Sequence, residues 1–201
     1  ASEAACKVIE EATDAVMVSV SGNMCSDKKP AAINMIEGRG KTVVAEALIP
    51  RETVEKRLHT SAELVVETNI RKNFIGSSMA GTLGANAHAA NMVAAFYIAT
   101  GQDPAQVVGG SMTLTDCEDV DGDLYISVRM PAVELGTVGG GTSLPCQAEA
   151  LSIMGCKGSG KARKLAEILA ATVLAGELST LAAQAAGQLG KAHAELGRGK
   201  K

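Results

Sequence analysis

The residues best suited to chemistry gather in one polar stretch, SGNMCSDKKPAAINMIEGRGK, running from Ser21 to Lys41. Within it Asp27, Lys28 and Lys29 are adjacent. The stretch lies between two apolar segments, VMVSV and KTVVAEALIP, which read as strands. A connection this long, without periodicity and with several glycines, is either disordered or functional. Neighbouring lysines suit an anion. A lysine fixed beside a carboxylate suits something narrower, an oxygen on which negative charge grows during a reaction. Asp103, after Gly101-Gln102, is a carboxylate that could fix Lys28. Its ordinary alternative is a loop acid, or the cap of the turn that follows.

The other polar candidates are weaker. His59, His88 and His193 are far apart, without the short spacings of a metal site, so no metal is expected. His59 reads as the last residue of a helix, where a cation suits the dipole. His88 lies in an Ala-rich segment beside Asn86 and Asn91, and polar side chains there need partners. A hydrogen-bonded core histidine explains it as well as a functional one does. His193 reads from pattern alone as a surface histidine near a helix end. GTVGGGT (136–142) could bring backbone close to a nucleotide, although a sharp turn explains it equally well. GCKGSGKA (155–162) resembles a phosphate-binding loop but places Ala162 where a hydroxyl is needed, and it follows a helical pattern. DVDGD (119–123) lacks the distant glutamate of a calcium loop and reads as a hairpin.

Positioning these residues falls to a chain of 201 residues, 46% hydrophobic and 20% charged, enough for one domain or slightly more. A net charge of −3 gives no basic field for nucleic acid, and the lack of Trp, with two Phe and two Tyr, argues against base-stacking platforms. Five cysteines, an odd number without a CxxC pair, argue against a disulfide framework and for a reducing compartment. No apolar run is expected to reach the roughly 20 residues of a membrane span. The first residues, ASEAACKVIEEATDA, start inside a helical pattern without an initiator Met, which reads as a fragment.

Periodicity predicts a helix over 1–13 with Ala4, Ala5, Val8, Ile9 and Ala12 on one stripe, and a strand over 16–20. A strand over 41–50 ends at Pro50, and a helix follows from Arg51 to about His59. Thr60 or Ser61 then caps a helix running to 73. The small-residue segment around 86–101 predicts a central, fully buried helix ending at Gly101. SMTLTD, LYISVRMP and AVELGTV predict antiparallel strands, with the acidic hairpin between the first two. A Gly-rich turn leads to a helix over 146–154, and 161–195 reads as one or two helices with Gly176 a candidate break.

Six blocks together resemble a known family. SGNMCSDKKPAAINMIEGRGK, NIRKN, SMAGTLGANAHAAN, YIATGQDPAQ, ELGTVGGGTSLP and LAGELSTLAAQAAGQLGKAHA resemble HMG-CoA reductase of the class I, eukaryotic-type catalytic domain, almost end to end. The combination of DKKPAA and GTVGGGT is specific. The resemblance implies an α+β fold: a large substrate-binding domain round a long buried central helix, with surrounding helices and a small sheet. It places 1–20 as the last helix and strand of a small NADP-binding domain, 21–40 as the connector loop, and 41–201 as the HMG-CoA-binding domain. It implies four-electron reduction of HMG-CoA to mevalonate and CoA, with NADPH as cofactor. It assigns Lys28 to the reacting carbonyl oxygen, Asp103 to linking that lysine with a glutamate, and His193 to protonating the departing thiolate. Ser21, Asn23, Asp27, Lys29, Lys72, His88 and Asn91 fall on the substrate side, and Gln102, Gly139, Gly140 and Gly141 near the nicotinamide.

The same resemblance implies a homodimer or dimer of dimers with its active site between subunits. It implies a cytoplasmic catalytic domain, with the full-length protein open to anchoring in the endoplasmic reticulum membrane, but no membrane contact from this segment. The family's catalytic glutamate and DAMGMN motif lie upstream of these residues, so the stretch alone is expected to be inactive. Ala192 and Gly199 replace serines of animal members, and phosphorylation control is accordingly not expected. The competing reading is a non-catalytic acyl-CoA-binding or assembly module. Retention of Lys28, Asp103 and His193 together favours the enzyme.

Overall fold

The computed structural model describes residues 1–188. Its centre is an antiparallel sheet of order β1-β3-β2, with β1 at Arg39–Ile49, β2 at Leu114–Val120 and β3 at Asp123–Val133. β2 and β3 form a hairpin closed by the two-residue turn Asp121-Gly122, because Val120 pairs with Asp123. An Asp-Gly turn of this length has the twist that antiparallel strands need. β1 pairs along β3 from Ile49 opposite Leu124 to Val43 opposite Met130. Leu124, Ile126, Val128 and Met130 alternate along β3 and are all fully buried. That period of two defines the core face of the sheet.

Helices cover the core. In chain order they are α1 (Ser2–Ala12), α2 (Ala32–Ile36), α3 (Arg51–Arg57), α4 (Ala62–Thr68), α5 (Ser77–Ala80), α6 (Ala89–Thr100), α7 (Val107–Gly110), α8 (Pro145–Ile153) and α9 (Ala162–Ala185). Ser61 caps α4, its hydroxyl accepting from Leu64 N at 3.3 Å. α9 is one unbroken helix through Gly176, and it buries Leu169, Val173 and Leu181 against the sheet and α6, while Leu165 packs with Leu151 and Cys156. It is long and apolar enough to cross a membrane by length and composition, contrary to the expected absence of such a run. Its buried face is that of a core helix.

Several expectations need correction. α6 ends at Gly101 as expected but is not buried all round: Ala89, Val93, Tyr97 and Thr100 face the core, while Ile98 is 61% exposed. The long buried helix is α9. No strand forms over 16–20, and Val16, Val18 and Val20 lie exposed. An extended segment forms a sheet only with a partner for its backbone, and this one has none among the described residues. α1 buries none of its residues. AVELGTV is not a separate strand, since Ala132 and Val133 finish β3 and 134–139 is irregular. α3 ends at Arg57, and His59 lies beyond it with φ 55°. The helix expected to run to 73 changes at Asn69 into a π-helical stretch, Asn69–Gly76.

A buried carboxylate ties these layers together. Glu177 of α9 is fully buried. Its oxygens accept from Ala87 N at 2.6 Å, His88 N at 2.8 Å and Thr115 Oγ1 at 2.7 Å. The first two donors precede α6, so the carboxylate sits at that helix's positive end. Asn86 completes the junction: its Oδ1 accepts from Ala89 N, and its Nδ2 donates to the Ser111 and Thr113 carbonyls. Burying a carboxylate is costly, but three donors, each worth about 1.5–3 kcal/mol to a charged group, offset that cost. Glu177→Ala leaves three buried donors without an acceptor. Urea denaturation of the full-length protein should show a loss of about 3 kcal/mol or more, with Glu177→Gln intermediate. An unchanged unfolding midpoint for Glu177→Ala would show that the carboxylate does not hold the layers together.

Candidate active site

Within the stretch from Ser21 to Lys41, the part from Cys25 onward is held by hydrogen bonds. Buried Asn34 on α2 donates to the Ser26 carbonyl at 2.9 Å and the Lys29 carbonyl at 3.1 Å, drawing the two arms together. Lys29 Nζ turns back to the Cys25 carbonyl at 2.7 Å and approaches Cys25 Sγ at 3.5 Å. A hydrogen bond from the Asp27 backbone, then the lysine, lowers the Cys25 thiol below its ordinary value. Lys28 itself has φ 53°, an uncommon conformation for a side-chain-bearing residue and one that clusters at functional sites.

Lys28 Nζ lies 2.7 Å from Asp103 Oδ2. Asp103 also caps the short 3₁₀ turn Pro104–Gln106, its Oδ1 accepting from Ala105 N at 3.0 Å. The two sequence readings of Asp103, cap and lysine partner, therefore hold together, one oxygen serving each. The hydrogen bond from Lys28, then that from Ala105, holds the Asp103 carboxyl below its usual range. The reciprocal bond raises Lys28 above an ordinary lysine. The side chains remain 43% and 48% exposed, and exposed ion pairs add little to stability. The pair fixes the place and charge of an ammonium that still faces solvent.

Asp27 makes a second attachment to the same turn. Its Oδ1 accepts from Gln106 Nε2 at 2.8 Å and lies 3.1 Å from a terminal nitrogen of Arg39. Arg39 reaches on to Glu134, pairing through Nε. The Gln106 hydrogen bond, then Arg39 and Lys28, keep Asp27 low, while burial pushes Glu134 up against the pull of Arg39. Arg39, Gln106, Glu134 and Asn34 were not singled out from the sequence. Only the glycines around Arg39 in EGRGK hinted that this arginine sits in an unusual backbone.

The residues expected near the nicotinamide adjoin Asp103. Gln102 donates to the Gly136 carbonyl at 2.9 Å and accepts from Gly136 N at 2.8 Å, a two-way clasp on the glycine-rich segment. Its amide is used on backbone, so it aligns that segment with Asp103. Gly101 and Gly141 touch: a Cβ on either would collide with the other's backbone. Gly139 and Gly140 have open space above them, a bare surface that a flat ring could approach. In this limited sense the segment fits a nicotinamide.

The remaining candidates are placed apart from the ion pair. Lys72 lies on the π-helical stretch and donates to Asn73 Oδ1 at 3.0 Å; Asn73 donates to Asn69, and Asn69 to the Thr115 carbonyl. His88 Nε2 is 2.8 Å from the Gly176 carbonyl, an acceptor, so this nitrogen donates. Asn91 is exposed on the first turn of α6, and Ser21 and Asn23 are exposed upstream of Lys28. Among the described residues, none of these five side chains bonds to Lys28 or Asp103. Pro30, next to the two lysines, joins Ala90 in lining an open groove of about 470 Å³. The loop and the start of α6 thus face one depression. His193 lies outside the described residues.

A family model described as hydroxymethylglutaryl-coenzyme A reductase matches residues 1–198. The chain belongs to that family. It is 57% identical over 203 residues to the 3-hydroxy-3-methylglutaryl-coenzyme A reductase of Haloferax volcanii, covering 98% of this chain and 50% of that protein. The Pyrococcus abyssi enzyme of the same name is 57% identical over 205 residues, with the same coverage. A rice relative, named 3-hydroxy-3-methylglutaryl-coenzyme A reductase 1, is 55% identical over 197 residues, covering 94% of this chain and 36% of its own. The chain thus spans about half, or less, of the length of these curated relatives.

The ion pair makes a specific titration prediction. Asp103→Asn removes the largest influence raising Lys28, so the lysine should titrate lower. Reductive ¹³C-methylation of the full-length protein, followed by NMR across alkaline pH, should show the Lys28 resonance moving to lower pH in the variant. An unmoved resonance would mean that the pair is absent in solution.

Proposed function

We propose that the full-length protein reduces HMG-CoA to mevalonate, releasing CoA, with NADPH as reductant. The observation that carries this is Lys28 Nζ held 2.7 Å from Asp103, half exposed, in a reductase-family chain. Thioester reduction builds negative charge on the carbonyl oxygen twice, in the first reduction and again when the resulting aldehyde is reduced. A fixed ammonium facing that oxygen stabilises both transition states without itself titrating at neutral pH. Asp103 is a positioning partner that keeps Lys28 cationic and aimed. Asp27, Lys29, Ser21 and Asn23 form the rim that would hold the substrate's own carboxylate and hydroxyl, with Lys72, His88 and Asn91 on the facing side.

The bound nicotinamide supplies the hydrides. The residues for its ring are Gly139, Gly140 and Gly141, kept in line with Asp103 by Gln102. His193 protonates the departing CoA thiolate, a task suited to a side chain that titrates near neutrality. The working unit is a homodimer with its sites between subunits. Exposed Ile98, Val138, Leu144 and Ile153 supply apolar surface that a second subunit would cover.

The test is the fall in NADPH absorbance when HMG-CoA is added to the full-length protein. The wild type should consume two NADPH per HMG-CoA. Lys28→Ala should lower kcat by about 10²–10³-fold, the scale of losing one oxyanion stabiliser. A folded protein that binds HMG-CoA but consumes no cofactor would establish the acyl-CoA-binding reading instead.

A further inference from the structure

We propose that Arg39 is a positioning residue for Lys28, a cationic strut between Asp27 and Glu134 that keeps the lysine loop seated on the Asp103–Gln106 turn. The kinetic part of this proposal rests on the reductase reading; its structural part does not.

The argument starts in the backbone. β1 pairs regularly with β3 up to Val43 opposite Met130, then slips. Gly40 and Lys41 both face Val133, and the register breaks on either side of Gly40. Such a bulge turns the flanking side chains out of the strand's alternation, and bulges often lie beside active sites for that reason. Gly40 permits it: φ is +70°, and a Cβ there would stand 2.5 Å from the Val133 carbonyl oxygen. Arg39, the first residue past the slip, points out of the sheet toward the loop.

The charges explain why an arginine is needed. Asp27 and Glu134 both lie against Arg39, and Asp27 is among the groups raising Glu134. With nothing between them, their repulsion would push Asp27 off Gln106. Lys28, the next residue, would lose Asp103 with it. Arg39 engages both acids at once, a terminal nitrogen 3.1 Å from Asp27 and Nε paired with Glu134. Its side chain is 35% exposed and Glu134's only 19%, so solvent screens this link less than it screens Lys28–Asp103. The planar fork of a guanidinium can serve two carboxylates in fixed directions, and a lysine ammonium cannot.

The experiment uses full-length wild type, Arg39→Ala, Arg39→Lys and Arg39→Gln. One readout needs no activity: limited trypsin digestion, with mass spectrometry quantifying cleavage after Lys28. Lys29 precedes Pro30, so Lys28 is the informative bond in the loop. Arg39→Ala should be cut there several-fold faster at an unchanged melting temperature. Its kcat should fall about 10²-fold, the scale of a roughly 1 Å misplacement, with a smaller change in KM. Millimolar guanidinium should restore much of both to Arg39→Ala and do nothing for wild type, whereas Arg39→Lys should stay impaired. Wild-type cleavage and kcat in Arg39→Ala would overturn the proposal, and so would equal function in Arg39→Lys. If Arg39→Ala fails to fold, Arg39→Gln decides: faster cleavage after Lys28 supports the strut, and unchanged cleavage overturns it. A wild type without reductase activity would sink the functional reading alone, leaving the trypsin result to judge the strut.

Discussion

One buried carboxylate sets the geometry on which the rest depends. Glu177 brings α9, the start of α6 and β2 to one point, because two adjacent backbone donors before α6 and one hydroxyl on β2 converge on its two oxygens. A charge in that position leaves little freedom. Shifting any of the three elements strips a donor from it, and the loss exceeds the energy of ordinary packing adjustments. The two ends of α6 then inherit fixed positions. At the first end are His88 and Asn91, and at the other are Gly101, Gln102 and Asp103. The helix sets the spacing between these two groups of residues.

The loop carrying Lys28 is held differently. Its attachments are side chain to side chain and partly exposed: Lys28 to Asp103, Asp27 to Gln106 and Arg39, Arg39 to Glu134. None adds much stability in water. Together they fix direction, since Asp27 and Lys28 are adjacent and grip the same short turn. A buried charge thus sets a rigid frame, and partly solvated charges register the loop on it.

The sequence was most informative where local chemistry decides structure. Ser61 as a cap, the Asp121-Gly122 hairpin and the end of α6 at Gly101 follow from turn and cap preferences that hold almost regardless of surroundings. The pairing of Lys28 with Asp103 was also legible, since a lysine in a polar loop and an acid after a buried helix have few other partners. What was not legible depends on the third dimension. VMVSV has strand composition but no neighbouring strand, and composition cannot report a missing partner. The π-helical stretch around Lys72 arises where Asn69 and Asn73 bond to each other and to Thr115, a contact 46 residues away. Glu177 looks like a surface residue in a helical pattern, and Arg39 like one more polar residue of the loop. Their roles appear only once Thr115, Ala87, Asp27 and Glu134 are in place around them.

The contact between Gly101 and Gly141 has a consequence for how the site can open. Two backbones in direct touch, with no side chain between them, have no compressible layer to slide on. The C-terminal end of α6 and the glycine-rich segment must therefore travel as one body, with Gln102 latched to Gly136 as a second fastening. Under the proposed function, access for a large cofactor would come not from parting these two but from movement of the Lys28 loop, whose joints are ionic and partly exposed to water.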